Sequence, residues 1–433
     1  MTPNLTALDP TDPVFISYRQ KDGTGVAAEL AWLLRAAGIP VWRDRDDLPP
    51  GDTEARLKQA IAAGISGGIL VVTPDVVNSR VVKTLEAPHL LELHHEHEVF
   101  ALGIANSART RDGGTDYDAP DRLLELRPGT LSGVDQHSTE RDALLVLIRG
   151  LVWHRISSLR DRIQATDRTF HLSLQTRNTP QVYDRTGDDL DIRLRPSDHE
   201  RLPSANGLRD LKDIIGLLPD AATRSGAHRV CVRGGAHLSV AFAVGAALPS
   251  SRIGHMDVID QQGAVWASHG EARFTDQPQV HAVAEGSNRS PARAGRAAVA
   301  VYVDLLPLRS DTAFARYLEV NSELVAWRHL RSTSDTLLDS SLAGEVAADV
   351  AAQVRSLSND NVNAEVHLLL RCPFPMALLI GRLTNSLRCV VYEWDDSDPI
   401  EGEDYRARYV PTLKVRASAR SGAIEDVLIS ELA

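Results

Sequence analysis

The N-terminal quarter of the chain alternates two apolar spacings, and this alternation predicts strands that take turns with helices. Short runs that consist mainly of apolar residues predict strands that are buried by helices on both faces. These runs lie at 14–17, 41–42, 69–73 and 99–104. Apolar residues at helical spacing predict helices at about 26–37, 53–63 and 81–95. The order predicts a parallel, doubly wound α/β sheet.

A strongly amphipathic helix is predicted at about 140–163, and it connects this first region to a second one. New strand-like sequence begins at about residue 166. We therefore place the domain boundary near residue 165. This predicts a first domain at 1–164 and a second domain at 165–433.

The second region contains one unit twice, which consists of a strand, a turn, an apolar helix and a further strand. Arg233 and Arg371 stand at matching places in the two copies, 138 residues apart. The turns differ, since one contains Gly-Gly-Ala and the other Cys-Pro-Phe-Pro. The repeat predicts two similar but distinct α/β lobes, at about 165–290 and 291–433.

Composition limits the classes of function. The net charge of −11 opposes the coating of long DNA or RNA, yet it allows a small nucleotide in a local basic pocket. The cysteines at 231, 372 and 389 are too few and too scattered for a disulfide framework or a zinc site. No signal peptide is evident, and apolar runs such as 238–248 are too short to span a bilayer. We expect a cytoplasmic protein without a membrane partner.

His94, His95 and His97, interleaved with Glu96 and Glu98, suggest a metal site at first sight. Adjacent residues on a helix point in different directions, however, and no second cluster of ligands is evident. A solvated helix end accounts for this composition, so we predict no metal ion.

Four sequence pieces in the first region follow one another in a characteristic order. Asp-Pro-Val-Phe-Ile-Ser-Tyr-Arg stands at 12–19, and Gly-Ile-Pro-Val-Trp-Arg-Asp stands at 38–44. An acidic loop with prolines follows at 45–52, and then Gly-Ile-Leu-Val-Val-Thr-Pro at 68–74. Over the stretch 12–104 this order resembles bacterial TIR domains that cleave NAD. The resemblance implies a flavodoxin-like sheet, with NAD+ as a substrate and no cofactor.

The resemblance implies that Glu86 is the catalytic residue. When the nicotinamide–ribose bond breaks, positive charge builds on the ribose, and a carboxylate beside the sugar stabilises it. No strong acid is needed, because the nicotinamide ring already carries a positive charge. A structural role at a helix N-terminus is the alternative for Glu86, and Glu92 is the alternative carboxylate. Val81 stands where TIR enzymes usually carry an aromatic residue, which leaves a non-enzymatic TIR scaffold open.

The resemblance also implies further contacts with NAD+. They come from Phe15, Ser17, Tyr18, Arg19, Trp42, Asp44, Asp47, Leu48 and Ser79. Arg19 follows the first strand, where open α/β sheets bind ligands, and would meet a pyrophosphate unless it is only a solvated loop charge. Trp42 would stack on a base unless it belongs to the core. The acidic loop from Asp44 to Leu48 touches a neighbouring subunit in TIR assemblies.

The second region carries Arg-Gly-Gly-Ala-His-Leu-Ser-Val-Ala-Phe at 233–242 and Val-Val-Tyr-Glu-Trp-Asp at 390–395. In this context the two motifs resemble the SAVED domain, a fused pair of CARF-like, Rossmann-type lobes that binds cyclic oligonucleotides. The implied contacts are Arg233, Gly234, Gly235, His237, Ser239, Phe374, Arg388, Glu393 and Trp394. Glycine N–H groups and arginines suit phosphates, and aromatic rings suit bases. Core packing of Phe374 and a surface charge at Arg388 are the alternatives.

Together the two resemblances indicate an effector of the bacterial anti-phage system CBASS. They imply an NAD+ glycohydrolase that is activated by a cyclic oligonucleotide, more often a cyclic trinucleotide such as cyclic tri-AMP than a dinucleotide. Ligand binding would stack the sensor domains head to tail into an open filament. The Asp44–Leu48 loop of one TIR domain would then order over Glu86 of the next. Cyclisation of ADP-ribose instead of its hydrolysis stays open, because both begin with the same bond cleavage.

Overall fold

A computed structural model of the protein describes residues 8–43, 64–177, 187–199, 201–268, 278–287, 297–396 and 407–430. The chain forms two compact units. The first comprises residues 1–167 and 180–193, and the second comprises 168–179 and 194–433. The chain thus leaves the first unit after residue 167, near the predicted boundary at 165. It returns at residue 180 and leaves again after residue 193. A single boundary does not describe this path.

The first unit is built on a five-stranded sheet. Its elements are β1 (Val14–Ser17), α1 (Gln20–Ala36), β2 (Val41–Arg43), β3 (Gly67–Val72), α2 (Ala87–Glu96), β4 (Ala101–Asn106), α3 (Ala119–Leu123), β5 (Asp135–Ser138) and α4 (Arg141–Ala165). The strand order is β2-β1-β3-β4-β5, and all neighbours are parallel. This is the flavodoxin-like order, so the predicted fold class is confirmed. The helix predicted at 53–63 lies outside the described residues.

Helices cover both faces of this sheet, which explains why its central strands β1, β3 and β4 are mainly apolar and buried. Every residue of β3 is buried. A Cβ atom on Gly68 would lie 2.9 Å from Leu90 of α2, and one on Gly103 would lie 2.7 Å from Leu147 of α4 on the opposite face. Glycine at these positions lets the helices approach the strand backbone closely.

The returning segment is held to the first unit by a buried arginine of α4. Arg155 is 5% exposed, and its Nε donates to the carbonyl of Asp189 at 2.9 Å. Its two terminal nitrogens donate to the carbonyls of Pro10, Thr11 and Asp12. One guanidinium thus ties the segment to the residues that precede β1, because it offers donors in a fixed planar fork.

The second unit contains two further sheets. The elements of this part of the chain are β6 (Thr169–Gln175), β7 (Leu190–Arg193, in the returning segment), α5 (Ala205–Ile214), α6 (Leu218–Arg224), β8 (Arg229–Gly235), α7 (Leu238–Ala247), β9 (His255–Ile259), β10 (Val265–Ala267), β11 (Val280–Ser287), β12 (Ala298–Asp304), α8 (Thr312–Val320), β13 (Ala326–Ser332), α9 (Ala343–Asp360), β14 (Glu365–Arg371), α10 (Phe374–Gly381), β15 (Cys389–Asp395), β16 (Arg408–Val415) and β17 (Ile424–Val427). In the first of these sheets β10, β9, β8 and β6 are successive neighbours, and β9, β8 and β6 are parallel.

The larger sheet has seven strands in the order β11-β13-β12-β14-β15-β16-β17. Its central neighbours β13, β12, β14 and β15 are parallel, and antiparallel strands lie at both edges. The predicted lobe boundary at 290 is wrong, because β11 pairs with β13 from Val280 to Ser287 and so belongs to the second lobe. The sequence could not reveal this, since an antiparallel edge strand carries no mark of its partner.

The predicted duplication is present, but in a different register. The strand β8 and the helix α7 are each followed by a counterpart, β14 and α10, that begins 136 residues later. This offset pairs Arg371 with Gly235, so the predicted match between Arg371 and Arg233 is wrong by two residues. A shift of two residues keeps the same strand face, and the apolar pattern alone cannot detect it.

The helices α7 and α10 join the two lobes by crossing at two glycines. A Cβ atom on Gly245 would lie 2.0 Å from the carbonyl oxygen of Leu378, and one on Gly381 would lie 2.2 Å from that of Phe242. No larger residue fits at either position without moving a helix backbone. The lobes are therefore packed main chain against main chain.

Candidate active site and ligand cavity

The carboxyl ends of β1 and β3 hold the candidate active site of the first unit. These neighbouring strands lie where the strand order reverses, and open α/β sheets bind their ligands at that point. Ser17 ends β1, and its Oγ donates a hydrogen bond of 2.5 Å to Oε2 of Glu86. Both residues are buried, with exposures of 1% and 7%. The structure thus brings together two residues that are 69 positions apart.

Glu86 is held by an unusual turn of helix. Residues 82–86 form a π-helical turn, which ends at Glu86 and in which the N–H of Ala87 donates to the carbonyl of Val82. Single π-turns inside α-helices are rare and are frequent at functional sites. The alternative carboxylate, Glu92, is 62% exposed and lies 3.4 Å from His89. The geometry therefore favours Glu86 over Glu92 and over a simple helix-dipole role.

Arg19 connects two loops at the same edge of the sheet. Its Nη1 lies 3.0 Å from Asp22 at the start of α1 and 3.5 Å from Asp75 in the turn after β3. These contacts join the start of α1 to the turn after β3. The charge of Arg19 is thus partly balanced by acids, which makes it a weaker candidate for a pyrophosphate than a lone arginine would be.

The other predicted contacts of the first unit have mixed placements. Phe15 and Trp42 contact the hydrophobic cluster beneath the sheet, which matches the core interpretation of the tryptophan. Tyr18 is 7% exposed and packs against Gly23. Ser79 accepts a long hydrogen bond of 3.5 Å from the N–H of Val82 at the start of the helix. Asp44, Asp47 and Leu48 lie outside the described residues.

The second unit contains a cavity of about 550 Å³ at the carboxyl ends of its parallel strands. It is lined by Arg177, Arg201, His237, Leu238, Leu306, Ser310, Leu370, Arg371, Cys372, Glu393 and Trp394. His237, Glu393 and Trp394 are residues that the sequence predicts for the ligand. Three arginines give the cavity walls a basic character that suits an anionic ligand.

Glu393 lies on the cavity wall, and it also joins the two lobes. It is 6% exposed, and its Oε1 accepts a hydrogen bond of 2.6 Å from the backbone N–H of Ser239 at the start of α7. Burial raises the pKa of Glu393 to about 7, although Ser239 and the charge of Arg177 oppose this rise. The carboxyl group is therefore half protonated near neutral pH.

His237 is neutral at physiological pH. The ring nitrogen Nδ1 lies 3.0 Å from Oγ1 of Thr176. The backbone N–H of His237 donates to the same hydroxyl at 2.9 Å. Burial, together with the charge of Arg177, lowers the pKa of His237 to about 4. The ring can therefore exchange hydrogen bonds with a ligand without adding charge to the cavity.

Trp394 is the aromatic surface of the cavity. It is 37% exposed, which is unusual for so large an apolar side chain. The guanidinium of Arg201 lies 5.7 Å from its ring centroid, and Nε of Arg201 lies 3.0 Å from Asp396. A ring that is already faced by a cation on one side can stack on a base with its other side.

The remaining residues predicted for the ligand do not line this cavity within the described part of the chain. Arg233 is exposed on β8, and Arg388 precedes β15, at the strand end opposite to Trp394. A Cβ atom on Gly234 would lie 2.3 Å from the carbonyl of Leu174, and one on Gly235 would lie 2.6 Å from Gln261. Close packing is therefore sufficient to explain glycine at both positions. Phe374 is half-buried at the start of α10.

Sequence reasoning missed Arg177, Arg201 and Arg371. Arg371 is the last residue of β14, and Arg177 follows β6 by two residues. The rule that ligands bind at the carboxyl ends of parallel strands, applied to every strand, would have selected these two. Arg201 lies in a loop before α5, where the sequence carries no such signal.

One group of potential metal ligands lies beside the cavity. In the residues that the structure describes, only Asp304, Asp311 and His329 place three ligand atoms within 4.8 Å of one another. The two ring nitrogens of His329 face different carboxylates, each at 3.9 Å. Both oxygens of Asp304 accept hydrogen bonds from arginines. Both oxygens of Asp304 are thus already engaged by arginines, and the His329 ring lies between the carboxylates of Asp304 and Asp311.

Comparison with known families agrees with these two units. A family model of the TIR domain matches residues 14–109. A model of SAVED, the SMODS-associated and fused to various effectors sensor domain, matches residues 213–415. The chain carries a TIR domain followed by a SAVED domain. The described helices of the two domains include none that is long and apolar enough to cross a membrane.

No curated protein matches the chain. Among solved structures, the Cap4 SAVED/CARF-domain containing receptor of Acinetobacter baumannii with the cyclic trinucleotide 3'3'3'-cAAA is similar at 12% identity and a TM-score of 0.43, and the match covers 92% of this chain and 99% of that chain. The Cap4 receptor of Moraxella osloensis is similar at 13% identity and a TM-score of 0.37, with 92% and 100% covered.

Proposed function

We propose that the protein is a CBASS effector whose TIR domain hydrolyses NAD+ when a cyclic oligonucleotide binds to its SAVED domain. The buried Ser17–Glu86 pair at the strand-order reversal carries the enzymatic half of this proposal. The arginine-lined cavity beside Trp394 carries the sensing half. The SAVED family, a sensor domain fused to various effectors, supports the combination.

In the proposed reaction, the bond between C1' of the ribose and the nicotinamide nitrogen breaks. The electron pair goes to the nicotinamide, which leaves as a neutral ring. The Glu86 carboxylate stabilises the cationic ribose and accepts hydrogen bonds from its hydroxyls. Water then adds to C1' and loses a proton, which yields ADP-ribose.

For the sensor, the proposed ligand is a cyclic trinucleotide such as cyclic tri-AMP. The phosphates would meet the arginines of the cavity, and a base would stack on Trp394. We further propose that the ligand drives head-to-tail assembly of the SAVED domains into open filaments. Neighbouring TIR domains would then complete each other's active sites.

Fluorescence of etheno-NAD tests the enzymatic proposal. Purified protein is incubated with cyclic di- and trinucleotides in turn, including 3'3'3'-cAAA. We expect fluorescence only with the activating ligand, together with a rise in light scattering when filaments form. Fluorescence that stays at background under every ligand, while one of them binds, would favour the non-enzymatic scaffold. Chromatography of the products separates ADP-ribose from its cyclised form.

A further inference from the structure

We propose that Arg371 is the phosphate-binding arginine of the cavity and that Asp304 holds it ready. This inference rests on the proposed function, because it assumes that a cyclic oligonucleotide binds in this cavity. It assigns a role to a residue that the ligand motifs at 233–242 and 390–395 do not include. The two arginines in or beside those motifs, Arg233 and Arg388, do not line the cavity within the described residues.

Arg371 is fixed by a buried carboxylate and by the cavity rim. Its Nη1 donates to Oδ1 of Asp304 at 2.6 Å and to the carbonyl of Leu308 at 2.5 Å. Asp304 ends β12 and is 0% exposed. A side chain that is anchored at two points loses little further freedom when a ligand binds, so less of the binding free energy is lost to ordering it.

The guanidinium keeps donors for a ligand. Both hydrogen bonds just described use Nη1, and no bond from Nε or Nη2 of Arg371 reaches another described residue. The side chain is 24% exposed and lines the cavity. Since guanidinium donors lie in one plane as a fork, the remaining nitrogens suit a bidentate contact with a phosphodiester.

The charges around Asp304 leave an excess of positive charge for the ligand. Its other oxygen, Oδ2, accepts a hydrogen bond of 2.5 Å from Nη1 of Arg331. Burial opposes ionisation, but the neighbouring His329, Arg371 and Arg331 outweigh it and hold the pKa of Asp304 below its usual value. One buried carboxylate therefore faces two guanidinium groups. The second carboxylate near them, Asp335, is 98% exposed and lies 4.0 Å from Arg331, so it leaves the charge of Arg371 available to a ligand.

The same network shapes the rim of the cavity. Nη2 of Arg331 donates to the carbonyls of Leu306 and Pro307, at 3.3 and 3.1 Å. The hydroxyl of Tyr302 donates to the carbonyl of Ser310 at 2.7 Å. The rim residues from 306 to 310 are thus held in place before any ligand arrives, as a preformed site requires.

Calorimetric titration with cyclic tri-AMP tests the assignment on the full-length chain. We expect R371Q to weaken binding about ten- to hundredfold, which is the usual worth of a charge-assisted hydrogen bond. R371K keeps the charge but loses the planar fork, so we expect an intermediate loss. R252Q removes the same charge from an exposed ion pair with Asp220 and should bind within about twofold of wild type, because Arg252 does not line the cavity. Thermal unfolding of each variant checks that the SAVED domain is intact.

The outcomes separate this inference from the proposed function. If wild type binds cyclic tri-AMP and a folded R371Q binds it equally well, the role of Arg371 is refuted while the sensor function stands. If R371Q does not fold, R371K decides, and unchanged affinity refutes the assignment. If wild type binds none of the cyclic nucleotides, the sensor proposal fails and this inference fails with it.

Discussion

Each domain buries one glutamate that receives a short hydrogen bond from a serine. In the TIR domain, Glu86 is 7% exposed and accepts from Ser17 at 2.5 Å. In the SAVED domain, Glu393 is 6% exposed and accepts from Ser239 at 2.6 Å. Both lie near the carboxyl ends of parallel strands, where α/β sheets place their ligands. Residue type, burial and hydrogen bonding are thus nearly the same.

The surroundings make the two carboxyl groups different. The donor to Glu86 is a side-chain hydroxyl from the neighbouring strand, whereas the donor to Glu393 is the backbone N–H that starts a helix of the other lobe. Glu393 also faces a cavity lined by arginines, in which an anion would bind. The first carboxylate is suited to a developing sugar cation. The second is a carboxyl group of raised pKa in a cavity lined by arginines.

The largest expected effect is on Glu86. E86Q keeps the shape of the side chain but removes the charge that stabilises the ribose cation, so we expect turnover of NAD+ to fall about a thousandfold. Affinity for the cyclic nucleotide should stay unchanged. E92Q, on an exposed carboxylate of the same helix, is the matched control. Full turnover of NAD+ by E86Q would remove Glu86 from the mechanism.

A change at the crossing of α7 and α10 should affect the SAVED domain, which contains Glu393, and should leave Glu86 of the TIR domain unaffected. The Glu393 bond spans two lobes that meet main chain against main chain at Gly245. G245A places a methyl group 2.0 Å from the Leu378 carbonyl, and we expect a loss of about 3 kcal/mol or more of unfolding free energy. The ligand should also bind less tightly. G254A is the control, because a Cβ there meets nothing within 4 Å. Equal melting temperatures for the two variants would refute the close crossing.

The pH should act on Glu393 through its raised pKa, from 4.5 to about 7. Between these values the unfolded chain ionises and the folded chain does not, so stability is lost as pH rises, by about 3 kcal/mol over the window. Above pH 7 the charged Glu393 also repels an anionic ligand. E393Q should abolish both trends. His237 does not interfere, since its pKa of about 4 lies below the window. A wild-type affinity that is flat from pH 6 to 8 would contradict this account.

Much of the candidate TIR site could be predicted from the sequence, because its residues lie at or after the ends of strands. Ser17 ends a short apolar run, Glu86 follows another, and parallel pairing brings such ends together. The sequence did not predict the hydrogen bond between Ser17 and Glu86. A π-helical turn orients Glu86, and no residue pattern marks such a turn. Arg19 lies at the edge of the sheet that its position after β1 predicts, but its contact with Asp75 joins two parts of the chain that are 56 residues apart and leaves no mark in the sequence.

The SAVED cavity was predictable only in part, for two physical reasons. The repeat was aligned on Arg233 and Arg371, and an even shift of register leaves the apolar pattern unchanged. Arg388 was selected for its charge beside an apolar strand, and charge alone does not indicate which end of a strand faces the ligand. Trp394 and Glu393, which the sequence predicts as ligand contacts, lie on the cavity wall because they stand near the carboxyl end of β15.

A smaller effect is expected from the serine of the TIR site. S17A removes the hydroxyl that orients Glu86, and we expect kcat for NAD+ to fall about tenfold with little change in KM. S17T, which keeps a hydroxyl, should recover part of the loss. S66A is the control, since Ser66 donates to the carbonyl of Asp12 at the opposite edge of the sheet. If S17A lost thermal stability but kept its kcat, the hydrogen bond would have only a structural role.

The smallest effect is expected from the serine of the SAVED domain, and it separates the two glutamates most directly. Ser239 holds Glu393 through its backbone N–H, which alanine also provides. Its Oγ is buried near the same carboxyl group, but it forms no hydrogen bond of proper geometry with a described residue. We therefore expect S239A to bind cyclic tri-AMP as wild type does, with stability changed by less than about 1 kcal/mol. If S239A lost affinity by a factor comparable to the loss of turnover in S17A, both glutamates would depend on serine hydroxyls. The distinction between a side-chain donor and a main-chain donor would then be wrong.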